Sequence, residues 1–213
     1  MVIEKAEIGA SGIAKLEAEG TSFFVRLEFW EFLGREAEEL RPGSTLGEEA
    51  LVDLVLAAKA TEAEARGASL LGRAEQPRFL LHGKLLERGY PDRAVVLALD
   101  RLEREGYLSD ARYAEAWLRA RIGKALRSAV GGGRAEGPSS LLLSLRARSI
   151  GERVAKAALT AVLEPGLRAE LLASALGKLR ASSREGPPSR DELRRSLREL
   201  GWSGEEIRDH LED

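Results

Sequence analysis

The chain has 213 residues, of which 44% are hydrophobic, and this is enough apolar material for one or two packed domains. It contains no cysteine, which excludes disulfides, thiolate metal sites and cysteine nucleophiles. No apolar run approaches the ~18 residues of a membrane span, and the N-terminus lacks the apolar centre of a signal peptide. We therefore expect a cytoplasmic protein with no membrane segment.

The net charge of −2 is unevenly distributed along the chain. Residues 1–65 contain 14 acidic and 6 basic residues, whereas residues 66–213 contain 21 acidic and 27 basic residues. An acidic head on a basic body indicates different tasks for the two parts. The alternative is that Glu-rich helices and hairpins simply keep the head soluble.

The first 33 residues predict β-structure. Apolar and polar residues alternate in 14–19 and again in 23–33, and glycine-containing turns separate these runs. We expect a small antiparallel hairpin or meander, with the phenylalanines between Phe23 and Phe32 packed against a neighbouring helix. A helix is predicted from about Glu48, with breaks at Gly67 or Gly72.

Glycines divide residues 78–121 into three predicted helices. Gly89 ends the first helix, because glycine adopts the left-handed conformation without a Cβ penalty. Pro91 favours the start of the second helix, which Gly106 ends, and Ser109 offers a cap to the third. Tyr113 and Trp117 share one face of this third helix, and such spacing favours a place in the core over stacking on bases.

Three segments repeat the same spacing relative to Gly89, Ser149 and Gly201. Each has leucine eight and four positions before this anchor, a large apolar residue one after it, an apolar residue six after it and leucine ten after it. Five matching offsets in three copies predict three similar helix–turn–helix units. The leucines are Leu81, Leu85 and Leu99; Leu141, Leu145 and Leu159; Leu193, Leu197 and Leu211; the residues after the anchors are Tyr90, Ile150 and Trp202.

These patterns predict a mainly α fold of tandem three-helix repeats, an elongated and curved array with a small N-terminal β-containing segment. Capping boxes are expected at Ser189 with Glu192 and at Ser203 with Glu206. Glycine- and proline-rich stretches at 123–138 and 182–189 predict linkers. The expected segments are 1–60 (β-hairpin or meander plus helix), 61–127 (repeat 1), 137–181 (repeat 2) and 189–213 (a shortened repeat 3).

No residue pattern predicts catalysis or metal binding. His82 and His210 are the only histidines and have no cysteine or carboxylate cluster at ligand spacing. No phosphate-binding glycine loop follows a predicted strand. We therefore expect neither an enzyme nor a cofactor or metal site.

Basic residues are concentrated in 119–156, where nine Lys and Arg face two Glu. Such a stripe is typical of a surface for phosphates or for an acidic partner. The alternative is a set of solvated helix edges, partly paired as Glu115 with Arg119. The candidate contact residues are Arg119, Arg121, Lys124, Arg127, Arg146, Arg148, Arg153 and Lys156, joined by Arg194, Arg195 and Arg198 near the C-terminus.

Three stretches, KLLERGYP, ALDRLEREGYLSDARYAEAWLRAR and SRDELRRSLRELGW, resemble the RecX family of bacterial recombinase regulators. Ser149 departs from the family pattern, in which glycine stands at that place, and the GGGRAEG insertion is longer than a typical linker. The residues that carry the resemblance most strongly are Arg88, Gly89, Tyr90, Leu99, Leu102, Gly106, Tyr107, Leu108, Asp110, Tyr113, Ala114, Trp117 and Arg121.

The resemblance implies a regulator that binds the RecA recombinase and its filament on single-stranded DNA. Such a protein restrains filament growth, strand exchange and ATP hydrolysis in homologous recombination, DNA repair and the SOS response. We expect a monomer, and direct contact with DNA stays open. The alternative function is a helix-turn-helix-like nucleic-acid-binding module, although Ala94, Val96, Ala98 and Asp100 make a poor base-reading set on the second helix.

Overall fold

The computed structural model describes residues 1–128, 134–182 and 187–211, and the chain divides into two compact units, Met1–Ser109 and Asp110–Asp213. The first unit contains all described strands and four α-helices, and the second contains six described α-helices. The predicted fold class, mainly α with a small N-terminal β-containing segment, is confirmed. Within the described residues, no helix combines the length and the apolar character that crossing a bilayer requires.

The sheet is an antiparallel meander of β1 (Lys5–Ile8), β2 (Ile13–Ala18) and β3 (Thr21–Arg26), in the order β1-β2-β3. Gly12 and Gly20 have positive φ angles in the two connecting turns. Ala14, Leu16 and Ala18 of β2 are buried, while Lys15 and Phe24 oppose each other on the outer face and are exposed. Alternation along the strand therefore gives one buried and one solvated face.

Helix α1 (Leu27–Phe32) replaces the last part of the predicted strand. Its Trp30 is fully buried, and the indole Nε1–H donates to the Glu36 carbonyl at 2.8 Å. The predicted phenylalanine core is confirmed for Phe29, which is buried, and for Phe23, which packs partly buried against the same core, and is wrong for Phe24 and Phe32, which are exposed. Phe24 lies on the outer face of β3, and Phe32 is the last residue of α1, at its exposed end.

Helix α2 (Glu48–Leu71) follows a short 3₁₀ helix (Ala37–Leu40) and runs without interruption through Gly67. The predicted break at Gly67 is therefore wrong. A Cβ at Gly67 would lie 2.8 Å from Leu102 Cδ1, so the missing side chain allows a neighbouring helix to approach closely. The helix ends at Gly72, as one of the two alternatives had it.

The described residues after α2 form eight further helices. They are α3 (Arg78–Leu86), α4 (Asp92–Arg104), α5 (Asp110–Arg127), α6 (Pro138–Arg146), α7 (Glu152–Val162), α8 (Pro165–Ser182), α9 (Arg190–Glu199) and α10 (Gly204–Leu211). Pro91 is the N-cap of α4 and so precedes its first turn. The capping boxes of Ser189 with Glu192 and of Ser203 with Glu206 are confirmed.

The boundary between the two units lies inside the predicted first repeat, 61–127. Helices α3 and α4 belong to the first unit, whereas α5 belongs to the second and packs on α7 and α8. The predicted linker from 123 begins later than expected, because α5 continues to Arg127. The central glycines of that linker and residues 183–186 of the second linker lie outside the described residues, and the repeat boundaries stay a prediction.

The helix corners α3–α4, α6–α7 and α9–α10 have the same backbone hydrogen bonds. Gly89, Ser149 and Gly201 each donate to the carbonyl three residues earlier, at 2.8, 2.9 and 2.9 Å. The next residue, Tyr90, Ile150 or Trp202, donates to the carbonyl five residues earlier, at 3.4, 3.2 and 3.1 Å. These two bonds define a Schellman motif. All three anchors have positive φ, including Ser149 at 59°.

The apolar residues around each corner are buried in the same way. Leucines eight and four positions before the anchor are buried in all three copies, as are the apolar residue six after it and the leucine ten after it. Tyr90 packs partly buried against its core, while Ile150 and Trp202 are fully enclosed. The same sequence pattern therefore forms the same helix corner in all three copies.

Candidate binding surface of the second unit

Helix α5 has an apolar face and a basic face. Ala114, Leu118, Ile122 and Ala125 recur at spacings of three and four and are buried in the core of the second unit. Tyr113 and Trp117 pack partly buried against the same core. Burial of one face leaves the remaining positions at the surface, and these include Arg119, Arg121, Lys124 and Arg127.

Several candidate cations are paired with a carboxylate on their own helix. Arg119 pairs with Glu115 at 2.9 Å, Lys156 with Glu152 at 2.6 Å and Arg194 with Asp191 at 3.5 Å. The pKa of Glu152 is lowered chiefly by its hydrogen bond from Lys156, with a further contribution from Arg146. Exposed pairs of this kind contribute little to stability, so a partner can separate them at little cost.

Other candidate cations are exposed and free of such pairing. Among residues 1–128, 134–182 and 187–211, no ion pair involves the following: Lys124, Arg127, Arg146, Arg153, Arg195 and Arg198. Counted over its whole sequence, residues 110–213, the second unit carries 19 basic and 15 acidic residues, a net charge of +4. Its exposed unpaired cations are therefore available to an anionic partner.

Arg88 and Arg148 occupy equivalent positions and make equivalent contacts. The Arg88 Nη1 donates to the Lys84 carbonyl and the Arg148 Nη1 to the Ser144 carbonyl, both at 2.6 Å and both four residues earlier. Arg148 also lies over the Trp117 ring, 4.5 Å from its centre. Both guanidinium groups cap helix carbonyls, so Arg148 already has a structural role, and its role in partner contact stays a prediction.

The candidate residues do not form one continuous site. Arg146 and Lys156 line a hollow of about 260 Å³ with Glu152, and Arg194 and Arg198 line another of about 310 Å³ with Arg208. Arg121 lies apart from both groups, paired with the buried carboxylate of Glu136. The second unit thus carries several basic patches.

Sequence reasoning missed Lys178, a buried lysine of α8. It follows buried Leu171 by seven positions and buried Ala175 by three, and this spacing places it on the apolar face of the helix. Its ammonium donates to the Ala125 carbonyl at 2.7 Å. The spacing is a signal that could have identified it, since a lysine on an apolar stripe is unusual.

The two histidines have local partners. His82 Nε2 lies 2.9 Å from Asp92 Oδ1, and His210 Nδ1 lies 3.1 Å from the Glu206 carbonyl. In the described ranges no three histidine, aspartate or glutamate side chains are placed to hold a metal ion.

The fold and this surface define a helical protein with repeated corners and several exposed basic patches. Its sequence is 52% identical over 52 residues to the regulatory protein RecX of Pseudomonas entomophila (strain L48), covering 24% of this chain and 34% of that protein. It is 31% identical over 139 residues to the regulatory protein RecX of Chromohalobacter salexigens, covering 65% of this chain and 84% of that protein. The chain belongs to the RecX family.

The match to the first of these relatives spans about a third of its length. A crystal structure of regulatory protein RecX aligns with 100% of this chain and 98% of its own, with a TM-score of 0.70 and 24% identity. The structure of RecX from Lactobacillus salivarius aligns with a TM-score of 0.56 over 72% of this chain. No protein-family model matches the sequence. These alignments establish the fold that the chain shares with its relatives.

Proposed function

We propose that this protein binds the RecA recombinase and its filament on single-stranded DNA. Through this binding it restrains filament growth, strand exchange and ATP hydrolysis in recombinational DNA repair and the SOS response. The observation that carries the proposal is membership of the RecX family, based on the match over 84% of the Chromohalobacter salexigens protein. The protein acts by binding and catalyses no reaction of its own.

The distribution of charge supports a nucleoprotein partner. Exposed cations without ion pairs lie on α5, α6, α7 and α9 of the second unit, the part of the chain with a net positive charge. A filament on single-stranded DNA offers both phosphates and acidic protein surfaces. Contacts with either would accelerate association and weaken as the salt concentration rises.

The test is the DNA-stimulated ATPase of RecA, measured with substoichiometric amounts of this protein. The wild-type chain is expected to depress hydrolysis, whereas a protein that only binds DNA would have to coat the strand before hydrolysis falls. Absence of inhibition by the wild-type chain, together with its absence from filament pellets in cosedimentation, contradicts the proposal.

The contribution of the basic surface is tested with Arg146→Glu and Arg153→Glu combined. Both side chains are exposed and without ion pairs in the described part of the chain, so their reversal breaks no salt bridge. We expect roughly tenfold weaker inhibition, since reversed charges repel phosphates and acidic surfaces. Arg73→Glu in the first unit is the control, because it is equally exposed. If the double variant inhibits as well as this control, the basic surface is not the contact.

A further inference from the structure

The ammonium of Lys178 is buried, and no carboxylate of the described residues pairs with it. Only 6% of the residue is exposed, and its single hydrogen bond within the described residues is the donation to the Ala125 carbonyl. Two of its three N–H groups therefore have no protein acceptor there. A buried ammonium without a counter-ion costs several kcal/mol, so an anion at this position would be strongly favoured.

Lys178 forms part of the wall of a cavity of about 270 Å³. The same wall contains three further cations, one carboxylate and one hydroxyl, contributed by α5 and by the residues that precede α6. The charged and hydroxyl-bearing residues are Arg121, Lys124, Ser128, Arg134, Glu136 and Lys178. Four positive charges and one negative charge leave this cavity with a local charge of +3.

The carboxylate in this wall, that of Glu136, already pairs with a neighbouring arginine. Glu136 is buried, pairs with the Arg121 Nη2 and accepts a hydrogen bond from Ser140 Oγ at 2.8 Å. Arg121 Nε is buried and has no hydrogen-bond partner among the described residues. Glu136 thus fixes the Arg121 guanidinium, and it leaves the ammonium of Lys178 without compensation.

We propose that this cavity binds a phosphate group. A phosphate presents three or four acceptor oxygens around one centre, which suits several N–H donors that converge from different elements. A larger adjoining cavity, about 540 Å³, shares Arg121, Arg134, Glu136 and Lys178 and adds the hydroxyls of Ser139, Ser140 and Ser144, with Glu199 on its wall. This larger cavity can accommodate the part of the ligand to which the bound phosphate is attached.

The phosphate can be a free anion or a phosphodiester of single-stranded nucleic acid, and both have the same chemistry in the cavity. An acidic peptide fits less well, because a carboxylate has only two oxygens to share among these donors. The proposal does not depend on the RecA-binding proposal, since the cavity lies within one unit of this chain and is tested in the absence of RecA.

The experiment measures binding of three probes to the full chain at low salt. Pyrophosphate and a poly-glutamate peptide are titrated by calorimetry, and a fluorescein-labelled oligothymidylate is followed by anisotropy. The variants are Lys178→Met, which keeps the stem of the side chain and removes the charge, and Arg134→Gln. The control is Arg180→Gln, an exposed residue of α8 that contributes to neither cavity.

We expect both cavity variants to bind phosphate at least ~10-fold more weakly, and the control to bind as the wild type does. Pyrophosphate should raise the melting temperature of the wild type and not that of Lys178→Met, because a ligand stabilises only a protein that binds it. Loss of pyrophosphate binding alone identifies a free anion as the ligand, and loss of oligonucleotide binding alone identifies a phosphodiester.

Three results would overturn the proposal. The first is a wild-type chain that binds neither phosphate probe, or binds poly-glutamate more tightly than both. The second is an equal loss of affinity in the cavity variants and in Arg180→Gln, which indicates a diffuse electrostatic effect. The third is a Lys178→Met variant with a lower melting temperature and unchanged phosphate binding, which limits Lys178 to its bond with the Ala125 carbonyl.

Discussion

The two units differ in how their buried charged side chains are paired. In the first unit, Glu64 of α2 pairs with Arg26 of β3 and with Arg101 of α4, both at 2.6 Å. Arg101 also pairs with Glu28 at 2.8 Å, and Glu28 further with Arg104. In the second unit, the only hydrogen-bond partner of the buried Lys178 ammonium among the described residues is a backbone carbonyl. The buried Glu64 of the first unit and the buried Glu136 of the second are each paired with arginine, whereas the buried Lys178 has no carboxylate partner among the described residues.

This difference gives the acidic head a structural role. The Arg26 backbone N–H donates to Thr61 Oγ1 at 2.8 Å, beside the pair that joins Arg26 to Glu64. The sheet is therefore attached to α2 and α4 by polar bonds at its last strand. At least part of the negative charge in 1–65 holds the β segment on the helices, which the solubility explanation did not foresee.

The strongest test of this contrast is Glu64→Ala. The change leaves Arg26 and Arg101 partly buried beside the empty position, and breaking such a pair costs ~3–5 kcal/mol. We expect a loss of about 3 kcal/mol in the free energy of unfolding, measured by urea denaturation. Glu62→Ala is the matched control on the same helix, because its pair with Lys59 is exposed. Equal effects of the two substitutions would show that the network contributes nothing beyond a surface pair.

The corners allow a second comparison, Gly201→Ala against Gly89→Ala. Both glycines have positive φ, so alanine at either position costs ~1 kcal/mol. At Gly201 a Cβ would also lie 2.8 Å from the Ser139 backbone nitrogen, whereas at Gly89 it would meet nothing within 4 Å. We expect a loss of about 2–3 kcal/mol at Gly201 and about 1 kcal/mol at Gly89 in thermal unfolding. Equal losses would indicate that the α9–α10 corner is free to move away from α6.

Ser149→Gly is expected to stabilise the protein. Ser149 has the left-handed conformation, with φ 59°, and this conformation costs a non-glycine residue ~1 kcal/mol. Glycine removes this cost, but its greater conformational freedom in the unfolded chain offsets part of the gain in stability. We expect a gain of about 0.5–1 kcal/mol, seen as a higher melting temperature. Ser149→Ala keeps the Cβ and serves as the control, with little change expected. A lower stability of the glycine variant would mean that the serine hydroxyl supports the corner.

The smallest expected effect concerns Glu206 in the second unit. The Arg168 guanidinium beside it, with the Ser203 backbone N–H, lowers the pKa of this carboxyl from 4.5 to about 2. Because the folded-state pKa is depressed, the stabilisation is present above pH 4.5 and is lost as the pH falls towards 2. The group is largely solvated, so we expect ~1 kcal/mol or less after screening.

Comparison with Glu206→Gln tests this linkage. The stability difference between wild type and variant should be largest at neutral pH and should shrink between pH 4.5 and about 2. Chemical denaturation at several pH values measures it. A difference that does not vary with pH would show that ionisation of Glu206 contributes nothing to stability, since the glutamine oxygen can still accept from the Ser203 N–H and leaves the cap in place.

The sequence was sufficient for the corners and insufficient for the buried charges. Leucine spacing and the turn residues depend on local geometry, so they identified the burial of Leu81, Leu141 and Leu193 and the position of each turn. The α1 helix was missed because its alternating pattern fits a strand as well as a short helix. Gly67 and Lys178 depend on which helices approach each other, and that is decided by distant residues.

The basic residues show the same limit. Their number in 119–156 was evident, and so was the pair of Glu115 with Arg119 on one helix, but the division into separate patches requires the positions of neighbouring helices. Arg148 illustrates this: its bond to the Ser144 carbonyl is local, but its contact with the Trp117 ring depends on how α5 lies against the second corner. Contact with a partner stays a prediction for every candidate.

Ser149 also bears on how such units can be found in other chains. Its backbone is held by the burial of Leu145 and Ile150 on either side, against the torsional preference of serine itself. Residues that tolerate this region, such as asparagine or aspartate, should therefore replace one another there during sequence drift. A search that demands glycine would count two units in this protein, while one that follows the flanking apolar positions would count three.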